Sequence, residues 1–363
     1  MVWQMAEISA DELARLPLPG SGSTRMQRDL AVIGASAGGV QALRELVAGL
    51  PSELPAAVLV TLHVLPTGTS VLPQILGRAG PLPAVRARHG EPLERGRIYV
   101  APPNYHLLVW DGQIQLSGGP RENGHRPGID PMFRSAARNY GRRVIGVVLS
   151  GTLDDGSAGL GVIKRCRGTT IAQDPADSLY AGMPQSAIDL GVVDHVLAAG
   201  EMADCICGLV DEPLPAEPHT GGEAALPRDW VAPEVVIDLA GDRDDGDVQA
   251  TGLTCPECGG ALWAHEEGYL LRFRCREGHA YSTQSMQIEQ GRVLESALWR
   301  ALRGLEEQVD LFERLARRSS ASSTAIRFQK RADDASHHAN AIRNTILDLG
   351  RSAVEGGSEV PVA

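Results

Sequence analysis

Ser36 stands in the run Ala31-Val32-Ile33-Gly34-Ala35-Ser36-Ala37-Gly38-Gly39, where an apolar stretch meets an amphipathic one and glycines flank the hydroxyl. The spacing Gly34-x-Ser36-x-Gly38 is that of a nucleophile elbow, in which small neighbours permit the sharp strand-to-helix turn that exposes a serine. N–H groups at the start of the following helix would face the same point and could hold an oxyanion. The glycines would also suit a dinucleotide-binding turn. Against that, the spacing is not GxGxxG, and the end of the next strand carries His63 where a ribose-binding acid is wanted. No GK[ST] follows, which excludes a P-loop.

A serine hydroxyl is a poor nucleophile near neutral pH, so it needs a base within reach and a third group to fix the base's tautomer. His63 closes the apolar run Ala57-Val58-Leu59-Val60-Thr61-Leu62, and the run Val144 to Leu149 leads into Ser150-Gly151-Thr152-Leu153-Asp154-Asp155-Gly156. If these runs are neighbouring parallel strands, all three loops open at one edge of the sheet, where open α/β folds bind ligands. Asp155 is then the candidate orienting acid and Asp154 its rival. The chain order Ser, His, Asp differs from the Ser, Asp, His order of α/β-hydrolases.

A second constellation lies far along the chain. Cys255-Pro256-Glu257-Cys258 and Cys275-Arg276-Glu277-Gly278-His279 give two knuckles with the spacing of a Cys3His site for Zn²⁺. With four protein ligands such a site is structural, and it would fold a segment too small to fold alone. His265 is a competing ligand off the knuckle pattern. Cys166, Cys205 and Cys207 fall in expected helices, where a buried, inert thiol is the ordinary outcome.

The elements that must position these residues are legible as alternating patterns. Leu30 to Ile33, Ala57 to Leu62, Val144 to Leu149 and Thr169 to Ala172 read as strands separated by helical periodicity, which predicts a doubly wound α/β fold with a mostly parallel sheet. Asp111-Gly112 marks a hairpin, expected as an antiparallel edge of that sheet. The organisation read from composition is a flexible N-terminal segment over 1–28, an α/β domain over 29–210 and an acidic Pro/Gly-rich linker over 211–253. A zinc-ribbon-like module over 254–283, a helical hairpin over 284–350 and a disordered tail over 351–363 follow. The repeat Leu294, Leu298, Leu302, Leu305, Val309 and Phe312 is the seam of that hairpin.

Among 363 residues the formal net charge is −11, which opposes a broad phosphate-binding footprint and argues against nucleic acid or an anionic membrane as partner. The ribbon's own charges are mixed, which favours contact with protein. No apolar run reaches membrane-spanning length and the N-terminus lacks a signal-peptide pattern, so a cytoplasmic location without membrane insertion is expected.

The segments Ile33 to Gly39, Leu62-His63-Val64, His125-Arg126-Pro127-Gly128-Ile129-Asp130, Leu149 to Gly156 and Gly182-Met183-Pro184-Gln185-Ser186-Ala187-Ile188 resemble, in order, the catalytic domain of CheB-type protein-glutamate methylesterases. The resemblance spans about Asp29 to Val210. It implies hydrolysis of glutamate γ-methyl esters on methyl-accepting chemotaxis or related signalling receptors, with deamidation of glutamines as an accompanying activity and no cofactor for catalysis. Carried over motif by motif, Ser36 is the nucleophile, His63 the base and Asp155, which precedes the glycine as the family's acid does, the orienting carboxylate. Backbone N–H groups of Ala37 and Thr152 are the candidate oxyanion hole; the family usually has methionine at the position of Thr152.

His125, Arg126 and Met183 are candidate substrate contacts. The His125–Asp130 stretch reads equally well as a helix start, with Asp130 as N-cap and Pro131 at N1. Classical members of the family carry a phosphorylatable receiver domain ahead of the esterase, and the residues before Asp29 are too few for one. The active site would then be either constitutively open or controlled by a partner, such as a regulatory protein acting through the C-terminal helices, with the added C-terminal region as the candidate regulator. A different class of function, a non-enzymatic signalling adaptor that scaffolds through the zinc module and helical tail, is the alternative.

Overall fold

A computed structural model of the chain describes residues 26–68, 70–214, 249–267 and 270–356. Most of the expected N-terminal segment and linker, and residues 357–363 of the expected tail, lie outside them. The first strand, β1 (Leu30–Ala35), is buried on both faces, which is why it reads as an unbroken apolar run. It feeds α1 (Gly39–Gly49), whose buried face is Ala42, Leu43, Leu46 and Val47. Then come β2 (Ala57–Leu62), α2 (Leu72–Ala79), β3 (Ala84–Arg86) and β4 (Ile98–Val100). After a hairpin of β5 (His106–Trp110) and β6 (Gln113–Ser117) the chain forms α3 (Ile129–Tyr140), β7 (Val144–Val148) and α4 (Ser157–Arg165). The domain ends with β8 (Thr169–Gln173), α5 (Gly182–Asp189), β9 (His195–Leu197) and α6 (Met202–Asp211).

Seven of these strands form one sheet in the order β3-β4-β2-β1-β7-β8-β9, with every pair parallel. Side chains alternate between two apolar layers. Ala31, Ile33 and Ala35 pack with Leu43, Leu46, Met202 and Ile206 on one face, whereas Leu30 and Val32 pack with Met132, Phe133, Leu160 and Ile163 on the other. The chain works outward from β1 to β3 on one side and returns beside β1 as β7. The switch point, and hence the crevice of such a fold, is at the carboxyl ends of β1, β2 and β7.

Two expectations are corrected in detail. The Asp111-Gly112 hairpin forms, with both turn residues at positive φ, but as a two-stranded sheet of its own and not as an edge of the parallel sheet. A turn signal specifies the pair it joins and says nothing of which sheet the pair enters. Second, α3 begins two residues earlier than the Asp130 N-cap reading, with extended Gly128 as cap. The carboxylate of Asp130 instead accepts from Gly156 N (3.0 Å) and Gly159 N (2.8 Å), capping α4 from outside.

The C-terminal part is a four-stranded antiparallel sheet of β10 (Gln249–Thr254), β11 (Ala261–Glu267), β12 (Leu270–Cys275) and β13 (Ala280–Ser282). Its small core is Leu262, Phe273, Tyr281 and Met286 around Cys255 and Cys275. Two long helices follow, α7 (Thr283–Arg318) and α8 (Ser322–Gly356), so α8 runs on into the stretch expected as tail. Leu302, Ala339 and Ile346 form their seam, with Leu298, Leu305 and Ile342 against it. Leu294 of the expected seam is exposed. The sheet is joined to the α/β domain by backbone bonds, Asn123 N to Ala280 O (2.8 Å) and Ala280 N to Arg121 O (3.3 Å).

Candidate active site

Ser36 follows β1 directly, and Gly38 (φ 73°) makes the left-handed turn that starts α1. His63 follows β2, and Asp155 sits in the loop between β7 and α4. The three side chains meet: His63 Nδ1 lies 3.1 Å from Ser36 Oγ and His63 Nε2 lies 2.8 Å from Asp155 Oδ2. Asp155 accepts further bonds from Ile129 N (2.9 Å), Asn123 Nδ2 (2.9 Å) and Gly156 N (3.1 Å). Burial alone would raise its pKa, but the hydrogen bond and charge of His63, with the Ile129 N–H, hold the carboxyl well below the usual carboxylate range. As an ionised acceptor it requires the proton on His63 Nε2. Nδ1 is left to accept from the serine hydroxyl.

Asp154 turns away from His63, its Oδ1 accepting from Ser282 Oγ at 2.7 Å. Ala37 follows Ser36 at the mouth of α1, and Thr152 lies in the loop whose Ser150 carbonyl accepts from Ser36 N (2.9 Å). A Cβ at Gly151 would stand 2.8 Å from Ser36 Cβ and 2.1 Å from Met183 Sδ, so only glycine fits there. Neither the Ala37 nor the Thr152 N–H has a hydrogen-bond partner among the described residues, as a donor held for an oxyanion requires.

The remaining sequence candidates take different positions. His125 stacks on His63, with ring centroids 3.7 Å apart. Met183 has no exposed surface and packs beneath Gly151, forming floor instead of wall. Arg126 is engaged by Asn104 Oδ1 (2.7 Å) and by the carbonyls of Gly118 (2.8 Å) and Gly119 (2.7 Å). It lines a cleft of about 660 Å³ shared with Pro120, Trp263 and Arg276, which includes none of Ser36, His63 and Asp155.

Behind the acid lies a buried polar cluster that the sequence reading did not single out. Asn123 Nδ2 bridges Asp155 Oδ1 and Asp130 Oδ2 (3.2 Å), and Asn123 Oδ1 accepts from Ser282 N (2.9 Å), which fixes the amide's orientation. Arg134 pairs with Glu122. Arg272, from β12, donates to Asp130 Oδ2 (3.0 Å) and Glu122 Oε2 (3.2 Å). Burial opposes ionisation of Glu122, yet Arg134, Arg272 and Arg274 bring its pKa down to about 2. Asp130 is pushed up, by burial and by the charge of Asp155.

Cys255, Cys258, Cys275 and His279 converge elsewhere, their ligand atoms all within 4.8 Å of one another. Cys258 Sγ to Cys275 Sγ is 3.7 Å, Cys255 Sγ to His279 Nδ1 is 3.7 Å and Cys275 Sγ to His279 Nδ1 is 3.5 Å. Metal–ligand bonds of ~2.0–2.3 Å in a tetrahedron give edges of about 3.3–3.8 Å, so donor set and spacing both fit an ion. Glu257 Oε2 lies 3.3 Å from His279 Nε2, a carboxylate orienting the histidine from behind. His265 is not in the cluster.

A parallel α/β domain with a hydrogen-bonded Ser–His–Asp set at its switch point is the class that fold and site define. The family model described as CheB methylesterase matches residues 31–206. Among curated relatives, the protein-glutamate methylesterase/protein-glutamine glutaminase 2 of Anaeromyxobacter dehalogenans is 44% identical over 174 residues, covering 48% of this chain and 51% of the relative. The protein-glutamate methylesterase/protein-glutamine glutaminase of Symbiobacterium thermophilum is 38% identical over 189 residues, 52% of each. The crystal structure of the Thermotoga maritima CheB methylesterase catalytic domain is similar at 32% identity and TM-score 0.49, covering 51% of this chain and 100% of that one. The chain spans about half the length of the curated relatives it matches. Residues 31–206 are a CheB methylesterase domain. Among the described residues no helix is long and apolar enough to cross a membrane.

Proposed function

We propose that this domain is a serine hydrolase that removes methyl groups from glutamate γ-methyl esters on methyl-accepting chemotaxis or related signalling receptors, and deamidates receptor glutamines at the same site. The observation that carries the reading is the unbroken hydrogen-bond chain from Ser36 through His63 to Asp155. Ser36 Oγ attacks the ester carbonyl as its proton passes to His63 Nδ1, and the N–H groups of Ala37 and Thr152 receive the oxyanion. The imidazolium, paired to Asp155, returns that proton to the departing methoxide and methanol leaves. Water then loses a proton to His63 as it attacks the acyl-serine, and the glutamate is released with Ser36 restored. With a glutamine substrate the first leaving group is ammonia. An adaptor without catalysis has no use for a depressed, fully hydrogen-bonded Asp155, which weighs against that alternative.

The cysteine cluster takes one Zn²⁺ on Cys255, Cys258, Cys275 and His279. Four protein ligands leave no open position, so the ion supplies fold and no chemistry, on the order of 10 kcal/mol to a sheet with a very small core.

Methanol release from methylated receptor tests the esterase reading. The wild-type chain is expected to release it, with Ser36→Ala reduced by at least ~10³-fold and His63→Ala nearly as severe. Equal turnover by the serine variant would overturn it.

A further inference from the structure

We infer that Arg272, on β12 of the C-terminal sheet, is a positioning residue for the Ser36–His63–Asp155 site, so that the C-terminal sheet completes the active site of the α/β domain. The inference rests on the esterase reading above and concerns residues outside the family domain, which ends at residue 206.

The connection is continuous and buried. From Ser36 the bonded path runs through His63, Asp155, Asn123 and Asp130 to Arg272 Nη1. Arg272 is 2% exposed, 142 residues along the chain from Asp130, and its second branch reaches Glu122. A guanidinium is not buried this deeply for surface adhesion, since desolvating it costs several kcal/mol unless carboxylates meet it. Here three buried carboxylates, Glu122, Asp130 and Asp155, face two buried guanidiniums, Arg134 and Arg272. Only Arg272 comes from outside the family domain. The same sheet also contributes Ser282, whose N–H holds the Asn123 amide with its donor toward Asp155.

The consequence falls on the base. His63 must be neutral to accept the serine proton. The groups that face it are Asp155 and stacked His125, with Arg121 and Arg292 beside His125, Glu289 beside Gly124 and Asp154 next in chain to Asp155. Behind Asp155, removing the Arg272 charge leaves Asp130 and Glu122 with Arg134 and, beside Glu122, Arg274. The site then becomes more negative, the imidazolium is favoured, and a higher pH is needed to free the base. One buried charge acting over about 10 Å through an effective dielectric near 20 moves a pKa by on the order of one unit.

The test is the pH dependence of kcat/KM for acylation of Ser36 in the full chain by p-nitrophenyl acetate. Arg272→Gln is expected to move the acid limb up by roughly one pH unit with KM little changed, and Arg272→Lys, which keeps the charge, to hold it within about 0.3 unit. Glu122→Gln is expected to move the limb down, and the charge-balanced Arg272→Gln/Glu122→Gln chain to return it toward wild type; these two keep the test decisive if Arg272→Gln does not fold. An acid limb that ignores all of these substitutions, with rates falling only in step with the folded fraction, overturns the inference. Hydrolysis that Ser36→Ala leaves intact overturns the esterase reading instead.

Discussion

The imidazoles of His63 and His125 lie face to face, 3.7 Å between centroids and 12° from parallel. Two stacked imidazoles cannot both carry charge cheaply. Burial, and then the neighbouring His63, depress the pKa of His125 from 6.5 to about 4, so the outer ring of the pair is neutral where the inner one must work as a base.

That depression makes a stability prediction. Between pH 6.5 and about 4 the unfolded chain binds a proton at His125 that the folded chain refuses. Folding stability therefore falls as pH drops through that window and levels off below it. His125→Phe keeps a ring on His63 and removes the titration. Urea unfolding across pH 4–7 is expected to show a slope shallower by up to ~1.4 kcal/mol per pH unit, about 3 kcal/mol over the window. An unchanged slope would show that His125 gives up its place on protonation at no cost.

How far the sequence reaches can be judged from particular residues. Strands buried on both faces announce themselves as apolar runs, and a serine between glycines announces a turn, so β1, β2, β7 and the convergence of Ser36, His63 and Asp155 were legible. The CxxC and CxxxH knuckles were legible because local spacing alone brings their ligands near one another. Arg272 was not. It alternates with Leu271 and Phe273 on a strand, and a basic residue in that pattern reads as a solvated face unless the acids it meets, 142 and 150 residues away, are known. Asn123 and Asp130 were hidden likewise, because their partners belong to other elements. Asp130 looked like the cap of its own helix and caps α4.

Gly151 offers a second test, of packing beneath the nucleophile. A methyl group there would meet Met183 Sδ at 2.1 Å and Ser36 Cβ at 2.8 Å, and Met183 is fully buried. Gly151→Ala is expected to cost about 1–3 kcal/mol and to lower kcat more than 10-fold by displacing the Ser36 turn. Thermal unfolding and steady-state kinetics on the same sample check both. A variant as stable and as fast as wild type would mean that the loop after β7 does not set the serine's position.

Metal removal joins the cysteine cluster to the catalytic rim. Cys275 ends the strand that carries Arg272, and His279 stands immediately before β13, whose Ser282 bonds to Asn123 and Asp154. Both segments that reach the acid's back thus emerge from metal-ligand knuckles. Elemental analysis is expected to find close to one zinc per chain, lost on chelation or in Cys255→Ser/Cys258→Ser. Without the ion the small core around Phe273 and Tyr281 should loosen, changing the near-UV dichroism of Trp263 and Tyr281, while the α/β domain, which has cores of its own, still unfolds cooperatively. The acid limb of Ser36 acylation should then shift upward as in Arg272→Gln, because the guanidinium leaves with its strand. A metal-free chain with an unaltered near-UV spectrum and a wild-type pH profile would show instead that the contacts of Arg272 and Ser282 hold the sheet in place without the ion.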